Sequence, residues 1–426
     1  MRNRYMEYVL IESQSREPDP TKPDDFPMTE GQIRMANRIK TEMGMVAVRS
    51  GQRNIKVEMS DDYYVYAKIP ANTKKKGVLS VMFMAHLDVT PEVDTNHAAA
   101  RPVVHQNYDG GDIILRNDSV LSPNTPRGAH LKDLVGKTIV TGDGVALNGA
   151  DCKTGCAILV TLFERIAYAG KDFEHGDIYF CFSQNEDVGL AAMRMEMSYL
   201  DKVPDILIDV DGGDYGKFSV ANFTAEGRTY LIKGNSVHAS NAKTNGYADA
   251  RTAMAYFIGQ LPPEVHPSNS EGHQGYIHCY ASNMLNDGND YRISFRIRYF
   301  DKADSARFAG YFNKAVNRTL TAFPNVDIVL EKSGLQYDNI AHTMHPQTAP
   351  VILAAAKKTG IKMEPEELRA GTTGAMMVAA GLPLPGAACI YSGQQAEHSP
   401  FEWACIEELL DLTNLCQEIV AQIYKL

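Results

Sequence analysis

The sequence predicts an α/β protein: a mostly parallel sheet with helices packed on it, interrupted by an inserted α/β sandwich. Three observations carry this. Between residues 150 and 211, apolar runs of strand length alternate with helical stretches, the rhythm of βαβ crossovers. From about Asn222 apolar and polar residues alternate instead, as in antiparallel strands with one wet face. After Gln347 the first rhythm returns. The expected division is therefore a discontinuous α/β domain, 1–220 and 334–426, and an inserted domain over 221–333.

The elements follow in order. Thr29 and Gln32 form a capping box that opens a helix over 29–43, with Ile33, Ala36 and Ile39 at helical spacing. The proline-rich EPDPTKPDDFP before it cannot be helical. YYVYAKIP (63–70) reads as a strand, and KGVLSVMFMAH as a buried strand ending at His86, because its apolar residues run without strict alternation. Residues 94–150 are rich in Gly, Asp, Asn and Pro and predict only short strands. A helix over 153–168, a strand over 177–183, a short helix over 190–200 and a strand over 205–211 complete the first half. The insert predicts strands in TAEGRTYLIKGNS and YIHCYASNMLNDGNDYRISFRIRYF, with helices over 248–260 and 303–321. A helix over 349–359, a strand over 387–391 and a helix over 401–424 close the chain.

At roughly 150 residues per domain, 426 residues are too many for one. The balance of 44% hydrophobic and 22% charged residues is globular. With 42 basic and 52 acidic residues the net charge is −10, which argues against nucleic acid as a partner. No apolar run approaches the ~18 residues of a membrane span, and the N-terminus has no signal core. The seven cysteines are odd in number and scattered through apolar runs, as expected of reduced thiols in the cytoplasm.

Several carboxylates and imidazoles stand where apolar strands end or a helix begins: His86 and Asp88 in AHLDVTPE, Asp151 in NGADCKTG, Glu186 and Asp187 in SQNEDVG, Asp211 in DVDGG, and His398 in AEHSPFE. In open α/β sheets ligands bind at the carboxyl ends of the strands. Taken singly, each residue reads as a turn, a cap or a satisfied histidine. Together they make the donor set of a divalent cation such as zinc. Adjacent Glu186 and Asp187 suit a division of labour between a general base and a ligand. Asp88, two residues from His86, suits orientation of that ring.

Those segments, in that order and with NSVHAS, resemble the co-catalytic zinc peptidases that include carboxypeptidase G and aminoacylase. MTEGQ, NYDGGDIIL, VLSP, LVGKTIVTGDG, VDGGDYGKF, the SEGHQGYIH run and IRYFDKADSARF extend the resemblance to the peptidase T branch, the tripeptide aminopeptidases, from Tyr8 to the last helix. The resemblance would make 1–220 with 334–426 a catalytic domain and 221–333 its lid. It implies two zinc ions, with cobalt or manganese as substitutes. His86 and Asp211 would hold one, Asp187 and His398 the other, and Asp151 would bridge them. Glu186 falls at the general base and Asp88 at the acid behind the ligands. His238 of NSVHAS matches a histidine that helps stabilise the tetrahedral intermediate and comes from a neighbouring subunit in dimeric relatives. Arg298 and Arg369 match basic positions suited to a peptide carboxylate by bidentate pairing. The implied partners are a short peptide substrate and a second copy bound through the lid, with no membrane.

The chain departs from the branch at three places. Glu186-Asp187 replaces Glu-Glu, Asp151-Cys152-Lys153 replaces Asp-Asp-Lys, and Ala370-Gly371-Thr372-Thr373-Gly374 loses an acid at Thr373. A dipeptidase or N-acyl amino acid hydrolase on the same fold, and an inactive peptide- or metal-binding relative, are the alternative expectations.

Overall fold

An eight-stranded sheet organises the larger part of the computed structural model, which describes residues 1–19, 21–22, 24–93 and 100–426. Its strand order is Lys56–Met59, Val65–Ile69, Ile178–Ser183, Val81–His86, Ile206–Gly212, Ala387–Tyr391, Lys217–Asn222 and Glu364–Leu368. Val81–His86 runs parallel to both of its neighbours, and Ile206–Gly212 runs parallel to Ala387–Tyr391. The carboxyl ends of these central strands therefore lie at one edge, where His86 registers with Ser183 and Tyr391 with Gly212.

Every residue of Val81–His86 and of Ile178–Ser183 is buried, because both faces of the sheet are covered. On one face Phe83, Phe180 and Ile208 pack with Leu159, Leu162 and Phe163 of the helix Ala150–Ala169. On the other, Met82, Tyr179 and Leu207 pack with Met195 and Met377. The strand period of two thus gives each face its own core.

The chain divides into two units: Met1–Val220 with Ile340–Glu366 and Thr372–Leu426, and Ala221–Asn339 with Glu367–Gly371. In the second unit an antiparallel sheet has the order Tyr276–Leu285, Asp290–Tyr299, Thr224–Lys233 and Asp327–Tyr337. The helices Ala250–Gly259 and Lys302–Ala322 pack Phe257, Phe308 and Phe312 into a core with Tyr230 and Phe295.

Several expectations are corrected. A helix at Arg2–Val9 precedes the first one expected, and the next runs over Glu30–Arg49. Residues 190–200 form turns with a short 3₁₀ segment at Met197–Tyr199 rather than a helix. The last helix begins only at Ile406, because Trp403–Cys405 pairs with Ile139–Thr141 as a strand. The strand Glu364–Leu368 and the helix Thr373–Ala379 were not expected. The loop readings at 20, 23 and 94–99 lie outside the described residues. Among the described residues no helix is long and apolar enough to cross a membrane.

Candidate metal centre

Sheet topology brings the acidic and imidazole groups together. His86 ends its strand, Glu186 and Asp187 follow Ile178–Ser183, and Asp211 closes Ile206–Gly212. Asp151 stands in the first turn of Ala150–Ala169, where the backbone is still non-helical and the Asp151–Cys152 peptide is cis.

Asp151 occupies the middle. Its Oδ1 lies 2.8 Å from His86 Nε2, which is in turn 3.4 Å from Asp211 Oδ1. Its Oδ2 lies 3.3 Å from His398 Nε2, which is 3.0 Å from Asp187 Oδ1. One carboxylate thus faces two half-sites with separate oxygens. Asp151, Asp187 and His398 present donor atoms within 4.8 Å of one another, and so do His86, Cys152 and Asp211. Cys152 is a poorer donor than Asp151. Its thiol donates to Val210 O at 3.0 Å, and burial raises its pKa well above normal.

Carboxylates flank the Nδ1 side of both imidazoles. His398 Nδ1 is 2.9 Å from Glu92 Oε2, and His86 Nδ1 is 3.4 Å from Asp88 Oδ1. Each Nε2 is thereby turned to the carboxylates, to which it donates a proton without metal and beside which it would offer its lone pair to a cation. Asp88, fully buried, also accepts the amides of Glu186 at 3.0 Å and Asp187 at 3.2 Å. It therefore sets the loop that carries both residues.

The electrostatics call for cations. Burial alone lowers the His86 pKa, but Asp211, Asp151 and Asp88 outweigh it and hold the ring well above its ordinary value. Hydrogen bonds to Asp151 and Asp187 push His398 up to about 12. Burial, reinforced by Asp151, raises Asp187, and burial raises Asp211 against the pull of His86. Asp187 Oδ2 and Asp211 Oδ1 are buried without a hydrogen-bond partner among the described residues. Orphaned carboxylate oxygens beside two directed imidazoles fit a pair of divalent cations.

Glu186 sits beside this cluster. Burial raises its pKa, while the charge of His86 and the hydroxyl of Thr373 oppose the rise. Thr373 Oγ1 donates to Glu186 Oε1 at 2.7 Å. The residue at which an acid is missing is therefore a donor to the expected base.

His238, Arg298 and Arg369 belong to the second unit. His238 is exposed and pairs with Ser240 Oγ at 2.7 Å. Arg298 donates to Ile297 O at 3.0 Å and lies over the Tyr337 ring. Arg369 is engaged in its own unit. It donates to Gly272 O at 2.5 Å, Gln274 O at 3.2 Å, and Ser270 O and Oγ at 3.1 and 2.9 Å, and it covers the Phe223 ring. In this geometry it straps the 270–274 loop.

Sequence reasoning missed Gln32, Glu92 and Asp209. Gln32 exchanges a reciprocal pair of hydrogen bonds with Asn185, at 3.0 and 3.1 Å, and Asn185 has φ +54°. The capping box foretold Gln32 only as a helix cap. Asp209 shares a strand face with Asp211, is 3% exposed, and leaves Oδ2 without a partner among the described residues. Its sole sequence signal was an acid inside an otherwise apolar strand.

Among known proteins, no family model matches the chain. The structure is similar to the aminopeptidase PepT of Bacillus cereus, with a TM-score of 0.71 at 17% identity over 99% of this chain and 97% of that one. It is also similar to a dinuclear metal-binding peptidase of the M20 family from Bacillus subtilis, with a TM-score of 0.63 at 11% identity over 100% and 99%. These likenesses establish the fold. In sequence, the chain is 30% identical over 422 residues to a peptidase T of Bacillus velezensis, covering 98% of this chain and 96% of that one. Identity at that level across essentially the whole length, on the same fold, means that the chain belongs to the peptidase T family.

Proposed function

We propose that the protein removes the N-terminal residue from short peptides, tripeptides foremost, at a dinuclear metal centre. Membership of the peptidase T family makes it a metallopeptidase of the aminopeptidase type. The observation that carries the mechanism is the placing of Asp151, one oxygen toward His86 and Asp211 and the other toward His398 and Asp187. In this reading His86 and Asp211 would hold one cation, Asp187 and His398 the other, and Asp151 would serve both. Zinc is the metal best suited to two imidazoles and carboxylates, with cobalt or manganese as substitutes.

Bound there, the metals would polarise the scissile carbonyl and lower the pKa of the attacking water. The rest falls to the chain. Glu186 takes the water proton on Oε2, because Oε1 already accepts from Thr373, and returns it to the leaving amine. Asp88 keeps Glu186 and Asp187 in place through their amides. His238 supports the oxyanion from the insert, here acting as a lid, and the resemblance favours a homodimer through that lid. Arg298 and Arg369 are the candidates for the peptide carboxylate. The seven free cysteines favour a reducing compartment, the cytoplasm in this reading.

Glu186→Gln tests the reading. The amide is nearly isosteric but cannot accept the proton, so kcat on a tripeptide should fall ~10²–10⁴-fold with metal content unchanged. Near-normal kcat with both metals bound would remove Glu186 from the mechanism. Parallel assays on dipeptides and N-acetyl amino acids separate the tripeptidase from its alternatives.

A further inference from the structure

One buried carboxylate outside the proposed ligand set touches both ligand loops. Glu402 is 1% exposed. Its Oε2 accepts the Gly149 amide at 2.5 Å, two residues before Asp151, and its Oε1 accepts the His398 amide at 3.2 Å. Its own carbonyl accepts from Asn148 Nδ2 at 3.3 Å, and Asn148 Oδ1 is held by Tyr5 Oη at 2.7 Å. Burial, with Asp151, raises the Glu402 pKa to about 8, while the Gly149 amide and Lys153, itself 1% exposed with Nζ on Ile11 O at 2.7 Å, oppose the rise.

The two amides have something else in common. Gly149 has φ +69° and His398 has φ +53°, so both residues lie in the left-handed region. Glycine adopts it freely, but a histidine does so only when its surroundings hold it there. The conformation of His398 is what directs Nε2 at Asp151 and Asp187 while Nδ1 reaches Glu92.

We propose that Glu402 is a positioning residue that locks the Asp151 and His398 loops to each other and thereby sets the affinity of the metal these two residues share. The proposal rests on the dinuclear reading above. A glutamine at 402 offers one acceptor where two amides need acceptors, so one loop must loosen whichever way the amide turns. Both loops feed the metal held by Asp151, Asp187 and His398, whereas only the Asp151 loop feeds the metal held by His86 and Asp211. The first of these metals weakens in either case.

The test is zinc titration calorimetry on chelator-stripped protein, with the melting temperature of the metal-free form measured alongside. Wild type should take up two zinc ions. Glu402→Gln should weaken one of them ~10–100-fold more than the other, as loss of a group supporting metal ligands does, with the metal-free protein still folded. His398→Ala identifies the weakened site as the same one. Unchanged affinities in Glu402→Gln would overturn the proposal. So would equal loss at both sites together with a lowered melting temperature, the mark of a merely structural residue. Should Glu402→Gln not fold, Glu402→Asp, which keeps the carboxyl group but is too short to span both amides, is judged by the same criteria. Wild type that binds fewer than two zinc ions would sink the dinuclear reading, and this proposal with it.

Discussion

Thr373 stands at the point where the chain departs most from the family pattern, and it is not idle. The residue is 3% exposed and its hydroxyl donates to Glu186, so it stabilises the ionised form of a carboxylate whose pKa burial raises. Removing the hydroxyl should raise that pKa further. A general base must be ionised to act, so the acidic limb of the pH profile of kcat should move to higher pH in Thr373→Val. A buried group left without its partner costs ~1–3 kcal/mol, and kcat at neutral pH should drop about tenfold or more. An unmoved acidic limb would show that the contact does nothing for the base. The acidic and imidazole residues that cluster here were legible in the sequence because each ends an apolar strand or opens a helix, and the order of the motifs is distinctive. Glu92, Gln32 and Glu402 were not legible, because their roles depend on which loops fold against which, and that appears only in three dimensions.

At the level of elements, the turn carrying Glu186 and Asp187 hangs on Asn185 and the Asp151 turn on Gly149. Gln32→Ala removes the side chain that meets both ends of Asn185, a residue with φ +54°. It should lower kcat more than it changes zinc content, since the loop loosens while the donors remain. A Cβ at Gly149 would stand 2.7 Å from Val89 Cγ1 and 2.9 Å from Lys153 Cδ, on a backbone with φ +69°. Gly149→Ala should therefore lower the melting temperature and the zinc occupancy together, and a variant with neither change would contradict the strain argument. The buried strands were readable because both of their faces are apolar. The segment 190–200 was misread because LAAMRMEMSYL is made of helix formers. Tertiary bonds take its backbone instead. Tyr64 Oη donates to Ala191 O at 3.0 Å, Glu196 N donates to Tyr66 Oη at 2.9 Å, and Met195 and Leu200 pack on the sheet. The strand Trp403–Cys405 was hidden for a similar reason: besides the two-residue Gln394–Gln395, it pairs with Ile139–Thr141, more than 250 residues upstream.

For the molecule as a whole, metal and protons compete for the same donors. Without metal, His398 is held up to about 12 and His86 well above its ordinary value, so both rings carry protons at neutral pH. A cation must displace them. Zinc affinity should therefore rise with pH between about pH 6 and about pH 8, with protons released on binding. A flat affinity across that range would contradict the protonation assigned here. The insert makes a separate claim. His238→Ala should lower kcat far more than zinc content if the lid completes the site, and an unchanged kcat would remove His238 from the mechanism. A chain joining 220 directly to 334 should likewise keep zinc and lose peptide hydrolysis, although the 367–371 segment, which belongs to the second unit, stays behind in it. The central claim is the bridge at Asp151, and metal counting on two variants tests it most directly. Atomic absorption should show Asp151→Ala depleted of both ions and His398→Ala depleted of one. Equal losses from the two variants would contradict a bridging Asp151.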